Sequence, residues 1–402
     1  MPARLPLTRP RPARTWDVCH VSSAHRWTDN RVHLREAATT ARHHRTLLVA
    51  VDDDTVVEGS GVDVVLLPRR PRAVRMLWSA PHALLVALRS GARVLHLHDP
   101  ELVWAVPLLR ALGRRTVYDA HEDLPDQVAV KTWIPAPVRR AATLASHAVV
   151  RLAGTSDQVV AATAITARRF PAHKTTVVHN FPRLRPEEES ARPAPERPAR
   201  AVYLGVVSEH RGSRVIAEAA CHPEHPEGWT IDVVGNVVPT TEASVFDEAV
   251  SRGTVALHGL VSPEAARDLL LGARVGIVVL LPTPAYRRAL ATKMFEYMAA
   301  GMPVVASDFE LWREVLAGHD CATFVDPSRP EELARALRRY ADDPELLRRH
   351  GEAARRAAVE VFTWAAEEPQ LLEVYRRCGL PAPATPDAPP APDAPSVPAA
   401  PR

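Results

Sequence analysis

The sequence predicts an α/β protein built from two doubly wound parallel-sheet domains that face each other across a cleft. Three observations carry this. The chain has 402 residues, beyond the size at which a single hydrophobic core stops growing. Both halves alternate short β-branched runs with segments of helical period, and strict alternation implies parallel strands with helices on both faces. Between the halves, residues 181–200 (FPRLRPEEESARPAPERPAR) are rich in proline and charge and lack apolar periodicity, which reads as a linker or extended surface loop. The expected organisation is a disordered segment over 1–15, a first domain over 16–182, and a linker over 183–200. A second domain over 201–361 follows, then a helix over 362–378 returning to the first domain, and a disordered Pro/Ala tail over 379–402.

The first half opens on the apolar run Val18–His20. Strands are then expected at Thr46–Val51, Val62–Leu67, Arg93–Leu97, Arg115–Tyr118, Ala148–Leu152 and Thr175–Val178, with helices such as Glu101–Gly113 and Asp157–Arg168 between them. In the second half the strands are Ala201–Leu204, Thr230–Val234, Thr254–Leu257, Arg274–Leu281, Pro303–Ala306 and Ala322–Val325. Helices follow at Arg211–Ala220, Pro263–Leu271, Ala289–Ala300, Glu310–Ala317 and Pro330–Tyr340. The stretch Leu346–Arg377 has few helix breakers before Pro369.

Composition narrows the function classes. Net charge is only +3, so nothing in the overall charge points to nucleic acid. The cysteines Cys19, Cys221, Cys321 and Cys378 show no CxxC spacing, which argues against a zinc ribbon or a disulfide framework and fits a reducing cytosol. The basic N-terminus lacks the apolar segment of a secretory signal, and no run is long enough to span a bilayer. No G-x-G-x-x-G follows the first strand, where VSSAHRWTDNR contains no glycine. A dinucleotide oxidoreductase therefore loses its main support, and neither G-x-S-x-G nor a Walker loop is present.

The most informative stretch is TKMFEYMAAGMPVVASDFELWREVLAG, residues 292–318. It places Lys293 and Glu296 one turn apart on a helix that stops at Gly301, ahead of a buried-type strand. Lysine occurs only at 131, 174 and 293 in a chain that otherwise uses arginine, so position 293 favours a compact point charge. Such a pair at the carboxyl edge of a parallel sheet is suited to the phosphate and ribose of a nucleotide.

This stretch resembles the nucleotide-sugar site of retaining glycosyltransferases of the GT-B fold, the family-four (group 1) type. Other segments agree in order: VYDAHED (117–123), TSDQVV (155–160), VVHNFP (177–182), AVYLGVVSEHRG (201–212), IDVVGN, LHGLVSPEAARDLL and VFTW…LLEVY (361–375). The likeness extends over roughly residues 16–378. The chain departs from the family pattern at three points. Arg288 stands where the Glu-x7-Glu signature has its first glutamate. His25-Arg26-Trp27 replaces the glycine-rich loop, and Arg211 stands alone before Gly212. A subset of transferases, mostly of cell-surface polysaccharides, resembles this chain in having Lys-x-Phe-Glu-Tyr-Met and Arg-Gly instead.

The resemblance implies roles for single residues. Lys293 and Arg211 meet the charge of a departing diphosphate. Glu296 accepts hydrogen bonds from the ribose hydroxyls, as a carboxylate with two acceptor oxygens can. Gly259 and Val261 line the base, with Ser262 equally suited to capping the helix that begins at Pro263. His121 lies beside the transferred sugar and acts with Arg211 and Lys293 in catalysis, while Asp119 and Glu122, acceptor-side candidates, flank it and either raise its pKa or fix its tautomer. Two readings stand for Arg288, a contact to diphosphate or sugar and a solvated loop residue. Two also stand for His98 and Asp99, acceptor contacts and a strand end with a helix cap.

No Asp-x-Asp occupies a sugar-nucleotide position, and Asp52-Asp53-Asp54 reads as a turn or cap, so neither a metal nor any other cofactor is expected. The implied reaction moves a sugar from a nucleoside-diphosphate donor to a saccharide or lipid-linked acceptor, with retention, in surface polysaccharide or glycolipid synthesis. Two alternatives remain, a non-catalytic nucleotide-sugar-binding partner subunit and a sugar-nucleotide epimerase of the same fold. Arg69, Arg70, Arg72 and Arg75 precede Met76-Leu77-Trp78. That segment reads either as a solvated loop and helix start or as a contact to the anionic inner face of a membrane, which would make a cytoplasmic protein peripheral.

Overall fold

In the computed structural model, residues 16–55, 60–129 and 134–382 are described. The segments expected to be disordered, 1–15 and most of 379–402, lie outside them. The strands are β1 (Val18–Arg26), β2 (Thr46–Val51), β3 (Asp63–Leu67), β4 (Val94–Leu97), β5 (Arg115–Ala120), β6 (Gln158–Ala161) and β7 (Thr175–Val177). Then come β8 (Arg200–Leu204), β9 (Thr230–Val234), β10 (Val255–Gly259), β11 (Val275–Val278), β12 (Val304–Ser307) and β13 (Ala322–Val325). They form two sheets of orders β3-β2-β1-β4-β5-β6-β7 and β10-β9-β8-β11-β12-β13. Val18 lies in parallel register with Thr46 on one side and Val94 on the other, and Val304 with both Gly276 and Ala322. Two parallel sheets of alternating β and α, as the sequence predicts, are the GT-B architecture.

The chain packs into two compact units, one of residues up to Val117 together with those from Leu371 onward, the other of Tyr118–Gln370. In the first unit β2 is buried along its whole length, as expected of a parallel strand covered on both faces. Tyr375, near the end of the last helix, is fully buried there against His20, His44 and His96. In the second unit, Phe181, Phe295 and Phe362 form an aromatic cluster with ring centroids 4.7–5.4 Å apart. Within 183–200, Glu188, Ala194 and Arg197 are buried, and Arg197 donates to the carbonyls of Arg192, Ala273 and Ala300.

Two expectations are corrected. Ala148–Leu152 is no strand but the end of an 18-residue helix, Ala136–Ala153. Its buried residues Ser146, Val150 and Ala153 recur at i, i+4 and i+7, the helical period, and this outweighs the β propensity of the Val149-Val150 pair. The segment read as helix from Asp157 to Arg168 instead supplies β6 and one short turn, Ala164–Ala167, capped by Thr163. Val159, Val160 and Ala161 are fully buried, so the apolar run is a covered strand, which periodicity alone does not distinguish from a helix. The stretch Leu346–Arg377 is two helices, Pro344–Glu360 and Trp364–Arg377, with Pro369 inside the second.

Candidate donor-binding site

The site begins with the helix Thr292–Ala299, which three contacts hold in place. Gly276 on β11 admits the Tyr297 ring, since a Cβ there would come within 2.2 Å of it. Tyr297 Oη accepts the amide N–H of Leu204 at 2.8 Å, tying the helix to the end of β8. At the other end, Arg197 donates to Ala300 O at 2.6 Å and Arg355 donates to Ala299 O, so guanidinium groups satisfy carbonyls left over at the helix terminus. Burial without a carboxylate partner draws the Arg197 pKa down to about 10.

One turn before Tyr297, Lys293 extends toward the loop after β8. Its Nζ stands 3.8 Å from the centroid of the Tyr203 ring, a cation–π contact. A Cβ on Gly205 would lie 3.0 Å from that Nζ. The lysine as a whole is half-buried, but its Nζ is out of solvent contact and has no hydrogen-bond acceptor among the described residues. Burial, with repulsion from Arg211, pushes the Lys293 pKa down to about 7; the nearby Glu296 carboxylate only partly opposes this. A buried ammonium without an acceptor is costly unless an anion satisfies it.

The backbone around this amine is shaped by glycine. Gly205 has φ +131° and Gly235 has φ +139°, values that disfavour any side chain, and a Cβ on Gly235 would fall 1.9 Å from the Gly205 carbonyl oxygen. Arg211 ends a short 3₁₀ turn, Glu209–Arg211, and Gly212 with φ +83° then opens the helix Ser213–Cys221. That helix N-terminus and the two cations concentrate positive potential beside the end of β8. Lys293, Arg211 and Glu296 thus lie within electrostatic reach of one another. Sequence reasoning missed Tyr203, Gly205 and Gly235. The signal available was one glycine directly after each of two strand-like runs, AVYLG and IDVVG.

Gly259 ends β10 with φ +66°, and its carbonyl accepts the Gly235 N–H at 2.8 Å. Val261 is half-buried, and Ser262 caps the next helix by accepting from Ala265 N at 3.2 Å. Arg288 donates to Asp126 at 2.5 Å, and Asp126 also receives Arg169 at 3.3 Å. Arg288 is therefore paired with the helix Leu124–Ala129, which follows directly on the DAHED loop. In that loop His121 Nε2 lies 3.2 Å from the buried carboxylate of Asp119, and Glu122 is exposed.

His98 and Asp99 belong to the first unit. Asp99 is buried and gathers the segment that stands in place of a glycine-rich loop: it accepts from the amides of Ser23 and Ala24, from both serine hydroxyls, and pairs with His25 at 2.9 Å. These bonds outweigh burial and hold its carboxyl at about 2. His98 Nε2 lies 2.9 Å from His20 Nδ1. In this unit the Asp99 carboxylate does the local structural work of ordering a loop.

Comparison with known proteins bears on the fold and on the second half of the chain. Residues 212–373 match the family described as glycosyl transferase-like. An MMP alpha-(1->4)-mannosyltransferase of Mycolicibacterium hassiacum is 34% identical over 138 residues, 34% of this chain and 32% of that protein. The match thus spans about a third of the length of that relative. Among solved structures, sucrose-phosphate synthase from Thermosynechococcus elongatus superposes with a TM-score of 0.68 at 18% identity, covering 90% of this chain and 98% of that one. HepE of Anabaena, solved in complex with UDP-glucose, superposes with a TM-score of 0.67 at 15% identity, covering 90% and 99%. These likenesses show the GT-B fold.

Proposed function

We propose that this chain, GT-B in fold and glycosyl transferase-like over residues 212–373, transfers a sugar from a nucleoside-diphosphate donor to a saccharide or lipid-linked acceptor. The observation that supports this most directly is Lys293, a buried amine with no hydrogen-bond acceptor among the described residues, aimed at a glycine-lined loop beside Arg211. A diphosphate supplies the missing anion. As the bond to the sugar breaks, charge builds on the leaving phosphate, and fixed cations stabilise that state more than the ground state. Glu296, one turn on, takes the ribose, and the Gly259–Val261 segment takes the base. His121, held by Asp119, orients the transferred sugar. Two protein cations meet the leaving group here, so the donor site works without a metal ion. Retention follows if the leaving oxygen takes the acceptor's proton on the face of attack. HepE is described with UDP and UDP-glucose, which makes uridine donors the first to test.

Calorimetric titration with UDP, GDP and ADP in the absence of metal tests the reading, with saturable binding of one of them expected. Glu296→Ala should weaken that nucleotide by about 10–100-fold, the loss of hydrogen bonds to a charged group worth roughly 1.5–3 kcal/mol. Binding of inorganic pyrophosphate should stay unchanged. Equal weakening of both ligands, or of neither, rejects the assignment of Glu296. A partner subunit without catalysis would bind the nucleotide and release no diphosphate with any acceptor.

A lipid-linked acceptor makes surface association useful. No helix among the described residues is long and apolar enough to cross a membrane. Met76, Leu77 and Trp78 are 48%, 72% and 66% exposed, beside Arg69, Arg70 and Arg72, while Arg75 is paired with Glu101 at 2.8 Å. An apolar tip flanked by exposed cations fits an anionic bilayer surface. Co-sedimentation with vesicles containing anionic lipid, absent with zwitterionic ones and lost in Leu77→Asp/Trp78→Asp, is the expected result. Binding indifferent to these substitutions discards the proposed surface.

A further inference from the structure

The first unit contains four fully buried residues, His20, Glu36, His96 and His98, whose side-chain donor atoms lie within 4.8 Å of one another. They come from different elements: His20 from β1, Glu36 from the helical segment Val32–Ala41, and His96 and His98 from β4 and the residue after it. Glu36 sits in the part of that segment wound as a π-helix, Val32–Ala37, a local irregularity often found at functional sites.

Glu36 Oε2 stands 3.8 Å from His96 Nε2 and 3.8 Å from His98 Nδ1. That separation is beyond hydrogen-bond reach. It is close to the spacing of two ligands around one ion: bonds of about 2.0–2.2 Å opened to tetrahedral or trigonal angles leave ligand atoms roughly 3.3–3.7 Å apart. The far side of each imidazole is already held. His96 Nδ1 is 2.9 Å from Tyr375 Oη, and His98 Nε2 is 2.9 Å from His20 Nδ1. Metal-ligating histidines are oriented in this way, with the second ring nitrogen engaged by a neighbour. Tyr375 and Thr40 in turn engage His20 Nε2, each at 3.2 Å, and Arg31 Nε pairs with the other oxygen of Glu36 at 3.0 Å.

We propose that His96, His98 and Glu36 hold a divalent first-row transition-metal ion, with His20 and Tyr375 as the groups that orient the two histidines. Two nitrogens and one carboxylate oxygen suit zinc, and equally iron(II) or manganese. The ion would fasten β1, β4, the Glu36 helix and the last helix into one unit. It takes no part in the donor chemistry assigned above, so the expectation of metal-free donor binding stands or falls separately.

The test is elemental analysis of the whole chain purified without a polyhistidine tag and without chelator. It is followed by stripping and titration with ZnCl₂ and CoCl₂, read by thermal unfolding and visible absorption. About one ion per chain is expected, with a higher unfolding temperature on reloading and a cobalt d–d band. Tyr375→Phe should weaken metal affinity by about 10–100-fold and His96→Gln by more. Should His96→Gln fail to fold, the cobalt band of the unaltered chain decides. A chain that purifies without metal and shows neither a temperature shift nor a cobalt band overturns the proposal. So does undiminished affinity in a folded His96→Gln.

Discussion

Lys293→Met is expected to lower sugar transfer by about 10²–10³-fold, the usual effect of removing one preorganised group that stabilises developing negative charge. The same substitution should raise the unfolding temperature. The Nζ is inaccessible, its contacts are the Tyr203 ring and the edge of Gly205, and Arg211 repels it. Methionine fills the same channel without a charge to desolvate. Loss of function with gain of stability separates a ligand-directed cation from a structural one, whose removal lowers both. A variant that unfolds earlier while retaining activity would falsify the role given to Lys293.

The pH dependence follows from the same residue. In the free protein its pKa is about 7, and a bound diphosphate raises it. Affinity for UDP should therefore be flat below pH 7 and fall above it, approaching tenfold per pH unit until the pKa of the complex is reached. Stability moves the other way. The folded pKa lies below the ordinary 10.5, so the unfolded chain binds more protons between those values, and the contribution of Lys293 to stability rises with pH across that window. Both trends should vanish in Lys293→Met.

Gly235→Ala should produce the second large effect. At φ +139° an L side chain is strained wherever it points, and here the new Cβ would meet the Gly205 carbonyl oxygen at 1.9 Å and its carbon at 2.6 Å. Both partners are backbone, so no rotamer relieves the overlap and the two loops must part. Gly205 lies against Lys293 Nζ, so the displacement reaches the proposed diphosphate site directly. A loss of stability above about 2 kcal/mol is expected, with UDP affinity falling by at least about tenfold. Denaturant unfolding and calorimetry measure the two. Unchanged affinity at reduced stability would show that the glycine pair shapes the fold and not the donor site. Alanine at Gly228 or Gly253 in the same unit, also at positive φ but with nothing within 4 Å of the added Cβ, serves as the control for backbone strain alone.

Much of this architecture could be read from local pattern. β2, β9 and β13 fall where the β-branched and apolar runs place them, and β2, covered on both faces, is apolar at all but its first position. The Lys293–Glu296 pair was legible because helical spacing puts i and i+3 on one face, and Ser262 because its capping acts within three residues. The errors lie where local pattern is degenerate. Val149-Val150 and Val159-Val160 are the same dipeptide, one at the end of a long helix and one in β6, and only the surrounding packing tells them apart.

Other features depend on groups far apart in the chain, and no local pattern contains them. Asp99 orders Ser23 and Ala24 from 76 and 75 residues away. Arg288, open to two readings in the sequence, is paired with Asp126 across 162 residues. The shifted pKa of Lys293 arises from its surroundings and not from its identity: the lysine was visible, but its buried amine required Tyr203, Gly205 and Arg211 to be placed around it. Periodicity and capping are short-range and survive in a string of letters. Burial, electrostatic environment and the fit of one backbone against another are sums over neighbours that only folding brings together.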